Sequence, residues 1–243
     1  MGTDALNDLI QPGTDSDVAA SYARLAERAR DAVFGFEEKT AFLDIETTGF
    51  DPERDEIIEV AAVVCRGPEE VGRYSTLVRP ARPVPVEIAE LTGIDDEMLR
   101  DAPSASEAIA GIAEVVGDSD LVAHNAAFDR DFLRAAGWTH PRGDAAWLDS
   151  LQLARIALPR MRSHRQADLA RAFGLLQEPA HRASSDVETL ARLWRVLLVA
   201  LDEAPPGVLA GVMRASGGSR WPLARVVAHV AAARPQADID LKR

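Results

Sequence analysis

Apolar and polar residues follow several distinct patterns along the chain, and these patterns predict both helices and strands. An apolar position recurs every three or four residues across 16–38, which predicts an amphipathic helix. Alternating or continuous apolar runs bounded by turn residues predict strands at 41–47, 56–65, 73–78, 121–124 and 145–148. The turns between the first three strands are of the kind that join antiparallel hairpins.

Start signals and helical periodicity predict the remaining helices. Ser104 and Glu107 have the spacing of a capping box at the start of a helix over 104–116. Asn125 is predicted to cap the next helix, and Ser185, three residues before Glu188, to start another over 186–201. Further helices are predicted near 150–157, 166–173 and 222–233. Three hairpin-type strands followed by alternating strands and helices indicate an α/β fold, a mixed sheet flanked by helices.

The composition is that of a globular protein without a membrane segment. The 243 residues are 47% hydrophobic and 27% charged, and their apolar runs fall short of the roughly 18 residues that a membrane span needs. The acidic N-terminus differs from a secretory signal. A single cysteine, Cys65, excludes an intramolecular disulfide and a zinc site made of several cysteines. We therefore expect a cytoplasmic protein.

The net charge is −12, from 27 basic and 39 acidic residues, which argues against a passive nucleic-acid coat. It does not exclude an enzyme that acts on nucleic acid, because bound cations invert the local field. Positive charge is concentrated in 154–171, where one acid, Asp168, accompanies five arginines: Arg155, Arg160, Arg162, Arg165 and Arg171. This segment is either a solvated helix face or a surface that steers a phosphate backbone.

Two carboxylates lie one residue apart in the apolar run "FLDIETTGF", residues 42–50. Side chains alternate along a strand, so Asp44 and Glu46 point to one face while Leu43 and Ile45 point to the other. Two neighbouring negative charges in a half-buried strand repel each other and resist desolvation. A bound cation would remove both costs.

Two further acids are predicted at helix starts, Asp129 in the first turn after Asn125 and Asp186 directly after Ser185. Each has a simple structural explanation, because the helix dipole favours Asp at this end. Together with Asp44 and Glu46, they have the composition of a site for two Mg²⁺ or Mn²⁺ ions. Two such ions, roughly 3.5–4 Å apart, promote phosphodiester cleavage.

Two histidines are candidates for the proton acceptor. His181 lies five residues before Asp186, and its imidazole would accept a proton from an attacking water near neutral pH. His124 follows a buried strand, next to the predicted cap at Asn125. That position favours a structural role for His124.

Three segments, "DIETTG", "HNAAFDRDFL" and "HRASSD", resemble in order and spacing the motifs of the DEDDh family, the DnaQ-like 3′→5′ exonucleases. The resemblance runs from about Thr40 to Leu201 and implies a ribonuclease H-like fold. It implies that Asp44, Glu46, Asp129 and Asp186 bind two divalent cations and that His181 is the general base. Position 182 is arginine, so the sister class with tyrosine there is not matched.

The resemblance also implies contacts with the substrate. Thr47, Thr48 and Gly49 would hold the terminal nucleotide, with Thr92, Gly93 and Ile94 beneath its base or sugar. Asn125 and Phe128 of the second motif are further predicted contacts. The domain boundaries that follow are an N-terminal helical extension at 1–38, the exonuclease domain at 39–202 and a C-terminal extension at 203–243.

The function expected is metal-dependent 3′→5′ hydrolysis of single-stranded or frayed DNA ends, releasing nucleoside 5′-monophosphates. The connecting segments resemble proofreading domains of bacterial replicative polymerases and exonuclease domains fused to DinG-type helicases, which suggests a polymerase partner or a fused helicase region. The alternatives are an exoribonuclease that trims RNA ends, a non-catalytic nucleic-acid interaction module and a structural domain whose acids are coincidental. None of these residues distinguishes DNA from RNA.

Overall fold

The computed structural model describes residues 2–32, 39–176, 182–216 and 220–233. Five strands form one sheet in this part of the chain: β1 (Lys39–Thr47), β2 (Ile57–Arg66), β3 (Glu69–Leu77), β4 (Asp120–Ala123) and β5 (Trp147–Asp149). Their order is β3-β2-β1-β4-β5. The pairs β1–β2 and β2–β3 are antiparallel, whereas β1–β4 and β4–β5 are parallel. The predicted mixed sheet is confirmed.

Helices connect and cover the strands. In the described residues they are α1 (Gly2–Leu9), α2 (Ser16–Asp31), α3 (Val86–Thr92), α4 (Asp96–Leu99), α5 (Ala105–Val116), α6 (Ala126–Ala135), α7 (Ser150–Ala157), α8 (Gln166–Ala172), α9 (Ala183–Glu203), α10 (Pro206–Ser216) and α11 (Ala224–Ala233). The capping box of Ser104 and Glu107 is confirmed. The helix predicted over 16–38 ends at Asp31, and residues 33–38 lie outside the described part.

Two predicted helix starts are wrong in detail. Asn125 precedes α6, but its φ of 72° is left-handed and its side chain makes no capping hydrogen bond. Ser185 lies inside α9, which begins at Ala183, so Asp186 is the fourth helical residue. The earlier start is stabilised by Glu59 of β2, whose carboxylate accepts a hydrogen bond from the Ala183 N–H at 3.0 Å. A carboxylate in this position caps a helix as an Asp at the N-cap would.

Hydrophobic residues cover both faces of the sheet. Phe42 of β1 belongs to a cluster with α2, α7, α8 and α9, whereas Leu43 and Ile45 belong to a second cluster with α5 and α6. The first cluster also includes Leu25 of α2 and Val227 of α11, so both terminal regions share the core of the central domain. Asp44 and Glu46 lie two and four residues after Phe42, so their side chains point to the same face of β1 as Phe42, the face that α9 covers.

None of the described helices has by itself the length and apolar character to cross a membrane. Among them, α9 and α10 meet those criteria when taken together, and they are bent by 107° at their junction.

Candidate active site

Three of the predicted metal ligands lie together at the C-terminal end of β1. Asp44 and Glu46 come from β1 and Asp186 from the first turns of α9, and each offers a carboxylate oxygen within 4.8 Å of the others. The three side chains are half-buried. We call Asp44, Glu46 and Asp186 the acid cluster. The strand alternation explains the first two members, and the packing of α9 on β1 brings the third.

Asp129, the fourth predicted ligand, lies beside the acid cluster but is not one of the three mutually close carboxylates. It is only 4% exposed. Burial raises the pKa of Asp129, as do the negative charges of Asp149 and Glu46, although its own N–H and that of Ile45 donate to it and oppose the shift. The structure therefore places Asp129 against β1, within electrostatic reach of Glu46.

Burial and mutual repulsion disfavour the ionised forms of these acids. Burial raises the pKa of Asp44 well above its usual range, and the charges of Asp129, Glu46 and Asp186 add to the shift. Burial also raises the pKa of Glu46 to about 7, with Asp186 and Glu59 contributing. A divalent cation reverses this balance because it stabilises the carboxylates in their charged form. The donor set is made only of carboxylate oxygens, which fits a hard cation such as Mg²⁺ or Mn²⁺.

A buried ion pair fixes the helix that carries Asp186. Glu59 is 2% exposed, and its carboxylate accepts hydrogen bonds from the Arg182 guanidinium at 3.0–3.3 Å. Arg182 directly precedes α9, so the pair ties the start of this helix to β2. The motif prediction gave neither residue this role. The sequence feature that could have revealed the pair is the glutamate in the apolar run "EIIEVAAVVC", because a buried charge requires a partner.

The two candidate histidines differ in what the structure describes. His181 lies outside the described residues, and its role as base stays a prediction. His124 is engaged through both ring nitrogens, Nδ1 with the Ser150 hydroxyl at 2.9 Å and Nε2 with the His164 carbonyl at 2.8 Å. Burial lowers the pKa of His124. These contacts support the structural role expected for His124.

The loop after β1 is held in one shape by its own hydrogen bonds. The Thr47 hydroxyl donates to the Gly49 carbonyl at 2.6 Å, and the Thr48 hydroxyl accepts from the Glu56 N–H at 2.9 Å. A Cβ at Gly49 would overlap the Asp55 carboxylate, which explains the glycine. The loop thus presents backbone beside the acid cluster, where a terminal nucleotide is predicted to bind.

The segment predicted to lie beneath the base or sugar forms a turn after α3. Gly93 has a φ of 69°, and the Thr92 hydroxyl bonds the Ile88 carbonyl at 2.9 Å and the Ile94 N–H at 3.2 Å. Ile94 is fully buried in a small cluster with Ile58, next to Glu59 on β2. Ile94 therefore supports the turn from below, and its contact with a nucleotide stays a prediction.

Aromatic side chains line the other side of the loop. Phe128 of α6 is half-buried and its ring centroid lies 4.8 Å from that of Phe132 and 6.5 Å from that of Phe50. Phe50 is 82% exposed, although it directly follows the predicted nucleotide-binding residues. Sequence reasoning missed Phe50, because exposure cannot be read from a lone aromatic in a loop. Asn125 lies nearby and is held through its N–H by Asp149, at 3.2 Å.

Comparison with known sequences finds a matching family and several similar polymerases. The RNase T family model, described as exonuclease, matches residues 41–194. The PolC-type DNA polymerase III of Bacillus subtilis is 38% identical over 175 residues, which cover 71% of this chain and 12% of that protein. The chain thus spans about an eighth of the length of the curated relatives that it matches.

Comparison with solved structures finds the same fold in nucleases. Exonuclease X, solved in complex with 5′ overhanging duplex DNA, is 25% identical with a TM-score of 0.55, over 77% of this chain and 99% of that one. The nuclease domain of 3′hExo, a DEDDh family member bound to rAMP, is 18% identical with a TM-score of 0.58, over 68% and 94% of the two chains. The ribonuclease H-like fold expected from the motifs is confirmed by these similarities.

Proposed function

Since the chain belongs to the exonuclease family, we propose that it hydrolyses single-stranded or frayed DNA ends in the 3′→5′ direction with the help of divalent cations. The acid cluster carries this proposal, because its three carboxylate oxygens lie within 4.8 Å of one another. Such an arrangement is costly in a folded protein unless a cation binds there. The products would be nucleoside 5′-monophosphates.

The acid cluster and Asp129 would hold the ions. Two ions of the Mg²⁺ type supply electrostatic stabilisation of both the attacking and the leaving oxygen of an in-line displacement. Asp44 would bind these ions together with Glu46 and Asp186, because the three offer carboxylate oxygens within 4.8 Å of one another. Mg²⁺ and Mn²⁺ both accept this all-oxygen donor set.

The remaining residues would orient the strand and move the proton. A water attacks the phosphorus of the terminal phosphodiester, and the imidazole of His181 takes the water proton. The bond from phosphorus to the 3′ oxygen of the preceding nucleotide then breaks, and that oxygen takes a proton from solvent. Thr47, Thr48 and Gly49 position the terminal nucleotide, while the exposed ring of Phe50 offers a face on which its base can stack.

DNA is the favoured substrate because the PolC-type relatives are DNA polymerases. Their similarity also supports work alongside a polymerase, in proofreading or repair. An exoribonuclease activity is the alternative of the same chemical class. The contacts described at the site do not distinguish a ribose from a deoxyribose. Experiment must therefore separate hydrolysis of DNA from hydrolysis of RNA.

Matched DNA and RNA strands, labelled at either end, test direction, substrate and metal together. With Mg²⁺ or Mn²⁺, a 3′ label should leave as a mononucleotide at once, whereas a 5′ label should pass through a ladder of shortened strands. Excess chelator should stop both reactions. Undiminished hydrolysis in chelator, or release from the 5′ end, would refute the proposal.

Asp44→Asn tests the acid cluster directly. The rate should fall by about 10²–10³-fold, the range for removal of one strong electrostatic interaction with the transition state. Asp118→Asn is the matched control, since Asp118 is exposed on the turn after α5. A normal rate in Asp44→Asn, with the fold intact by circular dichroism, would remove Asp44 from the ligand set.

A further inference from the structure

A groove of about 440 Å³ lies beside the candidate active site and is not used by the chemistry proposed above. Its walls are the start of α6, the junction of β5 and α7, and the segment 220–223 that precedes α11. Its α6 wall consists of Ala126, Ala127 and Arg130, and residues of 142–145 before β5 also line it. We call this cavity the Trp221 groove.

The Trp221 groove opens at the same edge of the sheet as the acid cluster. The strands β1, β4 and β5 are parallel, so their C-terminal ends meet at one edge, where open α/β sheets bind ligands. The groove opens at the end of β5, two strands from β1 and thus roughly 10 Å from the acid cluster. A nucleotide beyond the penultimate one, on its 5′ side, is therefore within reach of the groove.

The charges in the groove favour an anion. The acids in its walls are already engaged: Asp149 accepts N–H groups at the start of α7, and Asp144 pairs with Arg134 at 2.7 Å. Arg220 is exposed and forms no ion pair with the part of the chain that the structure describes. Arg130 lines the same groove and is half-buried. Arg130 pairs with Asp131 at 3.0 Å, and the third arginine of the groove, Arg142, pairs with Asp120 at 2.6 Å. Three arginines and two aspartates thus line the groove, which carries one excess positive charge in a protein of net charge −12.

An indole is held at the same place. Trp221 is half-buried, and its Nε1–H donates to the Gln152 side-chain oxygen at 2.9 Å. The contact fixes the ring to α7 while the side chain lines the groove. A fixed aromatic ring next to an arginine is the combination that binds unpaired bases and their phosphates without reading sequence.

We propose that the Trp221 groove binds one nucleotide of the substrate strand, on the 5′ side of the cleaved bond, with its base against Trp221 and its phosphate near Arg220. The proposal rests on the proposed function, because it needs a strand whose 3′ end lies at the acid cluster. Both residues lie beyond residue 194, where the match to the exonuclease family ends. The C-terminal region would thus add a subsite that the family match does not supply.

Substrates of different length distinguish an effect on this subsite from an effect on the reacting centre. In the full chain, Trp221→Leu and Arg220→Gln should each raise the KM for a ten-nucleotide DNA strand, the first by at least about 5-fold because stacking is removed. The value of kcat should stay within about twofold, because neither residue touches the acid cluster. Hydrolysis of a dinucleotide, which is too short to reach the groove, should be unchanged. Arg214→Gln on α10 removes the same charge from an exposed position outside the groove and is the matched control.

Binding without turnover keeps the test independent of the proposed function. Anisotropy of a labelled ten-nucleotide strand, measured in chelator, should show weaker binding for Trp221→Leu and Arg220→Gln than for Arg214→Gln. Equal affinity in all three variants would overturn the subsite even if the enzyme is active. Loss of affinity in a protein without nuclease activity would retain the subsite and reject the proposed function. Arg220 is exposed, so its variant folds even if Trp221→Leu does not.

Discussion

Glu46 and Glu59 face each other across β1 and β2 in the sheet register, and both lie beneath α9, yet the fold treats their charges in opposite ways. Glu59 is 2% exposed and is neutralised by Arg182 and by the Ala183 N–H. Glu46 forms no ion pair with the described residues, and burial with the repulsion of Asp186 raises its pKa to about 7. The difference shows that this interior can pair a buried carboxylate with a cation and does not do so for Glu46.

A buried carboxylate that the protein does not pair with a cation indicates a place where a cation from solution binds. Glu59 needs nothing from solution, whereas Glu46 and Asp44 need a cation before both can ionise at neutral pH. Within one layer of side chains, Glu59 therefore has a structural role and Glu46 a chemical one. Four effects test or extend this separation, from the largest expected to the smallest, and the second of them is measured in two ways.

The largest expected effect is on turnover and concerns His181, the residue before Arg182. His181→Ala should lower the rate of hydrolysis by about 10²–10⁴-fold, the usual contribution of a positioned acid–base group, with cation binding largely kept. His124→Ala is the comparison, because both ring nitrogens of His124 bond to the protein. A greater loss of turnover in His124→Ala, at unchanged stability, would show that His124 is the base.

The second effect is the opposite change in stability expected for the same substitution, glutamate to glutamine, at two positions. In chelator at pH 8, Glu59→Gln should lower the free energy of unfolding by about 3–5 kcal/mol, because it leaves Arg182 without its partner. Glu46→Gln should raise the free energy of unfolding by on the order of 1–3 kcal/mol, because it removes a repelling charge. Urea unfolding measures both. Changes of the same sign would contradict the separation of roles.

Glu59→Gln should also weaken cation binding. An unpaired Arg182 would compete for Glu46, on which its charge already acts. The Mg²⁺ concentration for half-maximal activity should rise by about 10- to 100-fold, as expected when a residue that orients a ligand is removed. A purely destabilising change would lower the melting temperature and leave that concentration unaltered.

The third effect is a dependence of metal-free stability on pH. The folded pKa of Glu46 is raised from 4.5 to about 7, so the folded state binds this proton more tightly than the unfolded state does. The free energy of unfolding should therefore fall as the pH rises from 4.5 to about 7, by no more than about 3 kcal/mol for this group. Burial lowers the pKa of His124 and acts in the opposite direction, and this contribution cancels in the difference between wild type and Glu46→Gln. The difference reports Glu46 together with its effect on the pKa values of Asp44 and Asp129. A difference that does not vary with pH would refute this account.

The smallest effect extends the comparison to arginines. Unlike Arg182, the exposed Arg160, Arg162 and Arg165 form no ion pairs with described residues. Their joint replacement by Ala should flatten the slope of log affinity against log salt, by up to ~0.7 for each phosphate that the protein no longer neutralises. Turnover at saturating substrate should change little. A triple variant of Arg24, Arg66 and Arg214, which are also exposed, is the control. An equal slope in both triple variants would identify 154–171 as a solvated surface.

Local patterns predicted most of the sheet and part of the site, because strand alternation and capping are short-range properties. The placement of Asp44 and Glu46 on one face follows from a period of two residues. The capping box at Ser104 involves only its own helix. Helices α3 and α4 were not predicted, because the prolines of 79–87 indicate an extended segment although Pro85 is the residue that precedes α3.

Features that depend on distant residues were not predictable in the same way. Glu59 and Arg182 are 123 residues apart, and only the β1–β2 register and the position of α9 bring them together. The true start of α9 depends on that contact, which is why Ser185 was wrongly predicted to begin the helix. The Trp221 groove likewise joins α6 to a segment far along the chain.

The packing of α2 against α9 has a consequence for synthesis of the chain on the ribosome. The Ser21 hydroxyl of α2 donates to Glu203 at the end of α9, 182 residues further along. At about 5–20 residues per second, α2 would wait roughly 10–35 s before the helix that buries Leu25 has been made. During this interval its apolar stripe is exposed to other nascent chains and to chaperones. Translation speed downstream of β5 should therefore affect the yield of folded protein more than translation speed through the first hairpin.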